Sequence, residues 1–540
     1  MNECFSKTNR YLLFLCGILV FSFFIQLSTI GWGLPVVSVA DPTASGVGSN
    51  AFAVDEIAIG RVILNMVEHG NPNPNWFVES SGQIYLVFIP AVIINIVFLK
   101  ITLIEIVIIE RIISIIFSLL TIVVTFFIGK EIKDELFGLI SALFIAINPY
   151  YFFFGTYGKQ DAVATFFITL SLLFIILYLK DQNNRYLYLA SFSAGLATSV
   201  KYIGGLMFLY IIGIIIYNAI LNKKYPSIVK ILICTFFMFF IGFILLTPYS
   251  VITPQHFIKE SVGEFIHYQT GHVGIGQAPI YEFFLVLSGL YWLKSTPGMF
   301  FLGICFLTGV IIIIKSTNFL QNRCVSNYIL LVWIILTVAL FSFFIKIKMP
   351  NQMMMAIPAM MIIAAWPIYT LIQSKEKFPI KKILAILAIL LAILSLFAVI
   401  DHRLNDNKYK AAGWVIDHVS EGQSLAVTWY VYLPPGYSNT KEIVPDNLSW
   451  FKTAEYEYFI ASSNLYDRYL RYKDEYPGYN EVFVTISNTP VGGKIGNFIV
   501  IQRYSMSKTS DQVQWPDKIK RVLSNYDGEG EIIILKNVNL

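Results

Sequence analysis

The sequence predicts a polytopic α-helical membrane protein with about eleven crossings, interfacial helices and a C-terminal external α/β domain. Three observations carry that expectation. Hydrophobic residues fill 56% of the 540 positions and charged residues only 14%, whereas soluble domains carry roughly a quarter charged residues. Apolar runs of spanning length recur from residue 11 to residue 400. Beyond residue 400 the runs shorten to strand length and alternate with amphipathic helical patterns.

A spanning helix needs about 20 mostly apolar residues. Candidate segments lie near 11–30, 83–99, 107–128, 136–154, 162–179, 186–200, 202–218, 228–247, 297–315, 328–345, 353–372 and 382–400. The first follows Lys7 and Arg10 and outruns a typical signal h-region; the Ser-Val-Ala at 38–40 lies well past it, so it reads as an uncleaved signal anchor. The five cysteines, Cys4, Cys16, Cys234, Cys305 and Cys324, form no CxxC and no disulfide framework. The net charge of +5 belongs to lysines and arginines beside the spans, with no module for nucleic acid.

Charge decides which of these twelve segments cross. Lys130 with Lys133, Lys180 with Arg185, Lys223 with Lys224, Lys315 with Arg323, and Lys375, Lys377, Lys381 and Lys382 sit in short connecting loops. All of them fall inside, as the positive-inside rule asks, only if residues 83–99 stay in the interface or dip and return. Eleven crossings follow, with the chain divided into a membrane domain, 1–400, whose first external loop is 31–106, and an external α/β domain, 401–540. The run 186–218 is split at Lys201 into two short helices. In the tail, strands are expected at "SLAVTWYVY", "EYFIAS", "EVFVTI", "FIVIQRY" and "EIIILK", helices at "YKAAGWVIDHV" and "NLYDRYLRY", and a turn at "PVGGKIGN".

This topology gathers chemistry on one side. Asp55 and Glu56 head an amphipathic helical pattern, where acids also complement a helix dipole. Asp161 again begins a helix, where N-capping is the ordinary use. Two acids from different external loops could deprotonate a hydroxyl, or hold a divalent cation. Lys201 sits between two apolar halves, a costly position unless it faces a polar cavity. Lys346 and Lys348 lie at an external span end, where they suit a substrate phosphate. Arg111 reads either as a further such charge or as an interfacial anchor. His267 and His272 are too widely spaced for a helical zinc pair and better fit acceptor binding or loop structure. Tail tyrosines such as Tyr430, Tyr432 and Tyr437 either stack on sugar rings or pack in the core.

Four stretches in this order carry a resemblance: "AFAVDEIAIGRVILNMVEHGNPNPN", "ERIISIIFSLLTIVVTFFIGKEI", "INPYYFFFGTYGKQDAVATFF" and "GLATSVKYIGGL". The chain resembles the GT-C class of polyprenyl-phosphate-sugar-dependent glycosyltransferases, in particular the protein O-mannosyltransferase-like and lipid A aminoarabinose transferase-like group. It departs from that pattern in lacking a His-Pro-Pro run before residue 83 and an arginine within "KIKMPNQMMMAIP", where Lys346, Lys348 or Gln352 must serve instead.

The resemblance implies transfer of a monosaccharide from a polyprenyl-phosphate donor to an envelope glycan, lipid or protein acceptor on the external face of the plasma membrane, with inversion. Asp55 would take the acceptor proton, Asp161 would position it, and the lysines would stabilise the departing phosphate. No cofactor is implied with certainty, a divalent cation between Asp55 and Asp161 being the open option. A transporter or flippase of lipid-linked sugars is the rival reading. It has no use for the long acidic loop and external domain, and no inverted repeat is visible. An oligosaccharyltransferase-like enzyme would want Asp-x-Asp and a Trp-Trp-Asp type motif that the tail lacks.

Overall fold

The computed structural model describes residues 2–34, 54–98, 101–222, 228–271, 297–315, 325–347, 350–373, 380–434, 436–437, 439–471, 473–504 and 531–540. Each of the twelve apolar segments lies on helix. The helices are α1 (Asn2–Leu27), α2 (Val54–Glu68), α3 (Gly82–Phe98), α4 (Leu103–Ile132), α5 (Glu135–Ala146), α6 (Pro149–Gly155), α7 (Gln160–Asp181), α8 (Asn184–Val200), α9 (Gly205–Asn222), α10 (Ile228–Leu245), α11 (Tyr249–Ile252), α12 (Pro254–Thr270), α13 (Pro297–Lys315), α14 (Val325–Ala339), α15 (Ile357–Gln373) and α16 (Ile380–Leu404). Among the described residues, seven helices are long and apolar enough to cross a membrane alone, or eight if the pair α5–α6, bent by 63°, is one span. That bend falls where Asn148 caps α6, its side chain accepting from the Tyr151 N–H at 2.9 Å, with Pro149 in the first turn. The chain also breaks at Lys201, whose extended backbone (φ −148°, ψ 120°) separates α8 from a single 3₁₀ turn and α9.

Polar contacts collect in two belts. One joins Lys180 to Glu131 (2.8 Å), Lys130 to Glu135 (3.4 Å), Tyr369 to Asp134 (2.6 Å) and Asn218 to Gln182 (3.0 Å). The other joins Arg111 to Glu56 and to the carbonyls of Ile30 and Trp32, Lys201 to Asp161, Thr247 to Ser199, and Arg403 to Thr29 and Phe153. Arg111 and Glu131 are 20 residues apart on one helix, or about 30 Å at 1.5 Å per residue, the thickness of a hydrocarbon core. Among the described residues, α4, the α5–α6 pair, α7, α8, α9 and α15, taken with the residues that flank them, have polar contacts in both belts and so run from one to the other.

Helix α3 is different. Its start lies against the end of α8, with Ser80 bonded to the Thr198 carbonyl at 2.9 Å, and its end leads straight into the head of α4, eight residues before Arg111. Ile84, Val87 and Ala91 pack with Ile59, Ile63 and Met66 of α2 and with Ile106 and Ile109 of α4. Both ends of α3 therefore stay near the Arg111 belt, and α2, α3 and the head of α4 form a small apolar layer beside it.

After α16 the chain emerges on that same belt, since Arg403 bonds α1 and α6 there and Tyr409 accepts from the Gly33 N–H at 2.5 Å. Helix α17 (Asn407–His418) leads into β1 (Leu425–Val427), β2 (Thr440–Glu442), the short α18 (Trp450–Thr453), β3 (Tyr458–Ser462), α19 (Ser463–Arg471), α20 (Pro477–Asn488), β4 (Lys494–Ile495), β5 (Phe498–Tyr504) and β6 (Ile532–Asn537). The strands form one sheet in the order β2-β1-β3-β6-β5-β4, with β1 parallel to β2 and β3 and the remaining pairs antiparallel.

One expected strand is a helix. "EVFVTI" lies in α20, with Pro477 in the first turn and Val482, Phe483 and Ile486 all buried. Adjacent positions and an i,i+4 partner share a face only on a helix. Burying each such side chain contributes roughly 1.5–3 kcal/mol, more than the roughly 0.7 kcal/mol that poor helix propensity costs per residue. "PVGGKIGN" is a turn as expected, with Gly492 (φ +87°) and Gly496 (φ +56°) in the left-handed region on either side of β4.

Candidate active site

The site is built on the first turns of α2 and α7. Glu56 is sealed: Arg111 holds it through Nη2 at 2.6 Å and Nε at 3.3 Å, and the Gly158 N–H donates to it at 2.5 Å. Arg111 also donates to the carbonyls of Ile30 at 2.7 Å and Trp32 at 2.5 Å. The pair thus ties α2, α4, the exit of α1 and the loop before α7 to one point. A Cβ at position 158 would stand 2.7 Å from Glu110 Cβ and 2.9 Å from its Oε2, so the loop comes this close only with glycine. Placing Glu56 in that knot leaves Asp55, one residue earlier, facing a cavity.

The cavity measures about 480 Å³. Asp55, Glu79, Lys159, Asp161, Lys201, Asn351 and Gln352 line it, as do the apolar Ile203, Phe265, Leu340, Phe341, Phe344 and Ile345. Phe265 and Phe344 are both 64% exposed. The chain after α14 widens into a π-helical turn over Leu340–Phe344, a distortion that often marks functional positions.

Asp55 pairs with Lys159. Asp161 accepts from Lys201 Nζ at 2.5 Å and from Asn351 Nδ2 at 3.1 Å. Its two oxygens bind across the cavity rather than capping α7, whose N-cap, Lys159, makes no side-chain cap bond. Glu79 accepts from Gln160.

These neighbours set the protonation states. Lys159 holds the Asp55 carboxyl below its ordinary range against the opposing effect of burial, with Lys201 and Arg468 adding to it. Burial first, then the Asp55 charge, raises Glu79 to about 7. Burial draws Lys159 down, but the carboxylates of Asp55, Asp161 and Glu79 outweigh it and carry the ammonium above its usual value. Burial likewise raises Glu264 on the cavity wall. Asp55 is 48% exposed by surface, yet the surface it shows is that of a cavity, where neighbouring charges act with less screening than in bulk water.

Of the residues singled out from sequence, the structure brings Asp55, Asp161, Lys201 and Gln352 into one cavity. Glu56 and Arg111 lie in the buried pair just described and do not line it. Lys346 is exposed and contributes its backbone N–H to the Tyr268 carbonyl at 3.0 Å. His267, 43% exposed, stands 3.6 Å from Glu264. Neither lines the cavity. Lys348 and His272 lie outside the described residues. Sequence reasoning missed Lys159, Glu79 and Asn351. Lys159 could have been found, since it is a cation two positions before Asp161; Glu79 and Asn351 carry no local pattern.

Among the described residues no group of three or more His, Cys, Asp or Glu is placed to hold a metal ion. Asp55 and Asp161 each already have an ammonium as counter-ion, so this donor set does not fit a divalent cation.

Residues 90–246, from within α3 to the end of α10, match the family described as dolichyl-phosphate-mannose-protein mannosyltransferase. That match spans 157 of the 540 residues. Solved structures with similarity to this chain include the oligosaccharyltransferase AglB of Archaeoglobus fulgidus, in complex with an inhibitory peptide and a dolichol-phosphate, at 15% identity over 87% of this chain and 72% of that one, TM-score 0.48. ArnT from Cupriavidus metallidurans, bound to undecaprenyl phosphate, is 12% identical over 86% of this chain and 95% of that one, TM-score 0.49. The Saccharomyces cerevisiae Pmt1–Pmt2 complex, bound to the sugar donor, is 17% identical over 46% and 34%, TM-score 0.34. No curated protein matches the chain. At such identities the site has to be read from this chain's own residues.

Proposed function

We propose that this protein is a GT-C-type glycosyltransferase that moves a monosaccharide from a polyprenyl-phosphate donor to an acceptor hydroxyl or amine, on the external face of the plasma membrane and with inversion. One observation carries the reading: a single cavity lined both by two carboxylate–ammonium pairs and by apolar side chains, of which Phe265 and Phe344 are exposed. That lining suits an amphiphile, with a phosphate and sugar for the charged groups and an isoprenoid for the apolar ones. The family match over residues 90–246 agrees with a polyprenyl-linked sugar as donor.

In this mechanism the acceptor oxygen or nitrogen attacks the anomeric carbon from the face opposite the phosphate. The new bond forms as the anomeric C–O bond to phosphate breaks, and the electron pair leaves with the lipid phosphate. Asp55 takes the acceptor proton as general base. Lys159 and Lys201 neutralise charge developing on the phosphate oxygens, the kind of stabilisation that usually contributes most. The donor phosphate also competes with Asp55 for Lys159; as the lysine turns to the phosphate, Asp55 loses the cation that depresses its basicity. Donor binding therefore arms the base. Asp161, fixed by Lys201 and Asn351, positions the lysine rather than the proton.

The test is Asp55→Asn assayed with a polyprenyl-phosphate sugar in native membranes. Transfer is expected to vanish while insertion and thermal stability stay at wild-type values; full transfer by the variant would remove Asp55 from the mechanism.

A further inference from the structure

The tail's sheet has a topological switch point. Strand β1 is flanked on one side by β2 and on the other by β3, both parallel to it, so the chain reverses its direction of winding at β1. In open α/β sheets such a switch point leaves a crevice outside the carboxyl ends of the two strands, where ligands bind. Here that crevice holds Trp429 and Tyr430 after β1, and Ser462 and Asn464 at the junction of β3 with α19, whose second turn carries Arg468.

Four features single it out. Ser462 Oγ and Asn464 Oδ1 are buried with no hydrogen-bond partner; buried polar atoms are rarely left so, which points to a missing partner. Arg468 lies over the Tyr430 ring at 5.0 Å and donates to its hydroxyl at 2.7 Å, but has no carboxylate partner among the described residues. A guanidinium has five N–H donors, so most of its capacity is unused. Tyr430 holds φ +68°, a strained conformation for a bulky residue and one that gathers at binding sites. Trp429 is 42% exposed. The Arg468 charge also helps to lower the Asp55 carboxyl.

We infer that this crevice is a saccharide-binding subsite that holds the acceptor and presents it to the Asp55 cavity. Two aromatic rings offer flat apolar faces for a sugar ring, while the guanidinium and the orphaned Ser and Asn oxygens offer donors and acceptors for hydroxyl or carboxylate groups around its edge. A peptide would be held best by a free strand edge, and β1 and β3, which form the crevice, are each paired on both sides, the sheet's edges being β2 and β4. Calling the saccharide an acceptor rests on the transferase reading; the binding itself does not.

The experiment uses the full chain in lipid nanodiscs without donor. Saturation-transfer NMR would be run with a neutral trisaccharide, a trigalacturonate and a Ser/Thr-containing peptide as probes. Binding of either saccharide is expected at millimolar concentration, weakened roughly tenfold by Arg468→Gln and by Tyr430→Gly. Glycine accepts the positive φ, which offsets part of the packing that Tyr430 contributes to the core, and thermal unfolding of each variant checks that the chain stays folded. A preference for the uronic acid that Arg468→Gln abolishes identifies a carboxylate as the guanidinium's partner; equal binding of the neutral sugar identifies hydroxyls. Binding should survive Asp55→Asn, which separates the two proposals. Binding of the peptide alone, no saccharide binding, or variants that bind as well as wild type would overturn the inference.

Discussion

Asp55 and Glu56 are covalent neighbours, each with one cationic partner, yet the two pairs differ in almost every physical respect. In Arg111–Glu56 both side chains are 2% exposed and the surrounding N–H and C=O groups complete their hydrogen bonds. In Lys159–Asp55 the exposures are 20% and 48% and the cavity is open on one side. A sealed pair cannot exchange partners without a large desolvation cost, so it fixes position. An open pair can trade its lysine for a ligand phosphate, so it is suited to chemistry. Geometry is supplied by one carboxylate and reactivity by the next.

The largest way to break this comparison is to remove the reactive member. Asp55→Asn should lower transfer by roughly 10²–10⁴-fold or more, with little change in unfolding temperature. Removing the sealing cation does the reverse. Arg111→Met strands the Glu56 charge and should cost roughly 3–5 kcal/mol of stability, read as a drop in thermal unfolding temperature in detergent. Adding Glu56→Gln to that variant should recover much of the loss, because the stranded charge is gone. If Arg111→Met lowered transfer yet left stability untouched, the sealed pair would belong with the chemistry instead.

A smaller effect is expected at the second open pair. Lys201→Gln leaves Asp161 bonded to Asn351 but deletes one cation facing the phosphate. A rate loss of roughly 10²-fold, with KM for the donor also raised, would place Lys201 at the phosphate. A loss confined to stability would not.

The helices were legible because each bilayer crossing leaves a local record of apolar length; the parity was read from lysine-bearing loops, of which those at Lys223–Lys224 and Lys375–Lys377 lie outside the described residues. The placement of α3 followed from that parity, and its contacts with Thr198 at one end and the head of α4 at the other agree with it. The strand pattern misled at "EVFVTI", where valine and threonine favour a strand but Pro477 and the packing of Phe483 favour a helix. In the site, Asp55 and Asp161 stood out since each is an acid opening an apolar run. The division of labour between Asp55 and Glu56 was hidden, because Arg111 lies 55 positions from Glu56 and nothing local joins them. Glu79 and Asn351 enter the cavity only through tertiary contact.

Glu79 gives the finest test of the open pair. Its carboxyl is raised from 4.5 to about 7, so in the folded chain it keeps its proton through a window where the unfolded chain has lost it. Folding thus binds the extra proton, and Glu79's contribution to stability falls as pH rises from about 4.5 to about 7. For activity the sign is opposite. Above pH 7 the ionised Glu79 adds negative charge beside Asp55 and competes for Lys159, both of which make Asp55 a stronger base. Transfer should therefore rise several-fold across pH 6 to 8 in wild type, and Glu79→Gln should flatten that rise while leaving KM for the donor near wild type. An unchanged pH profile in Glu79→Gln would mean that Asp55 answers to Lys159 alone.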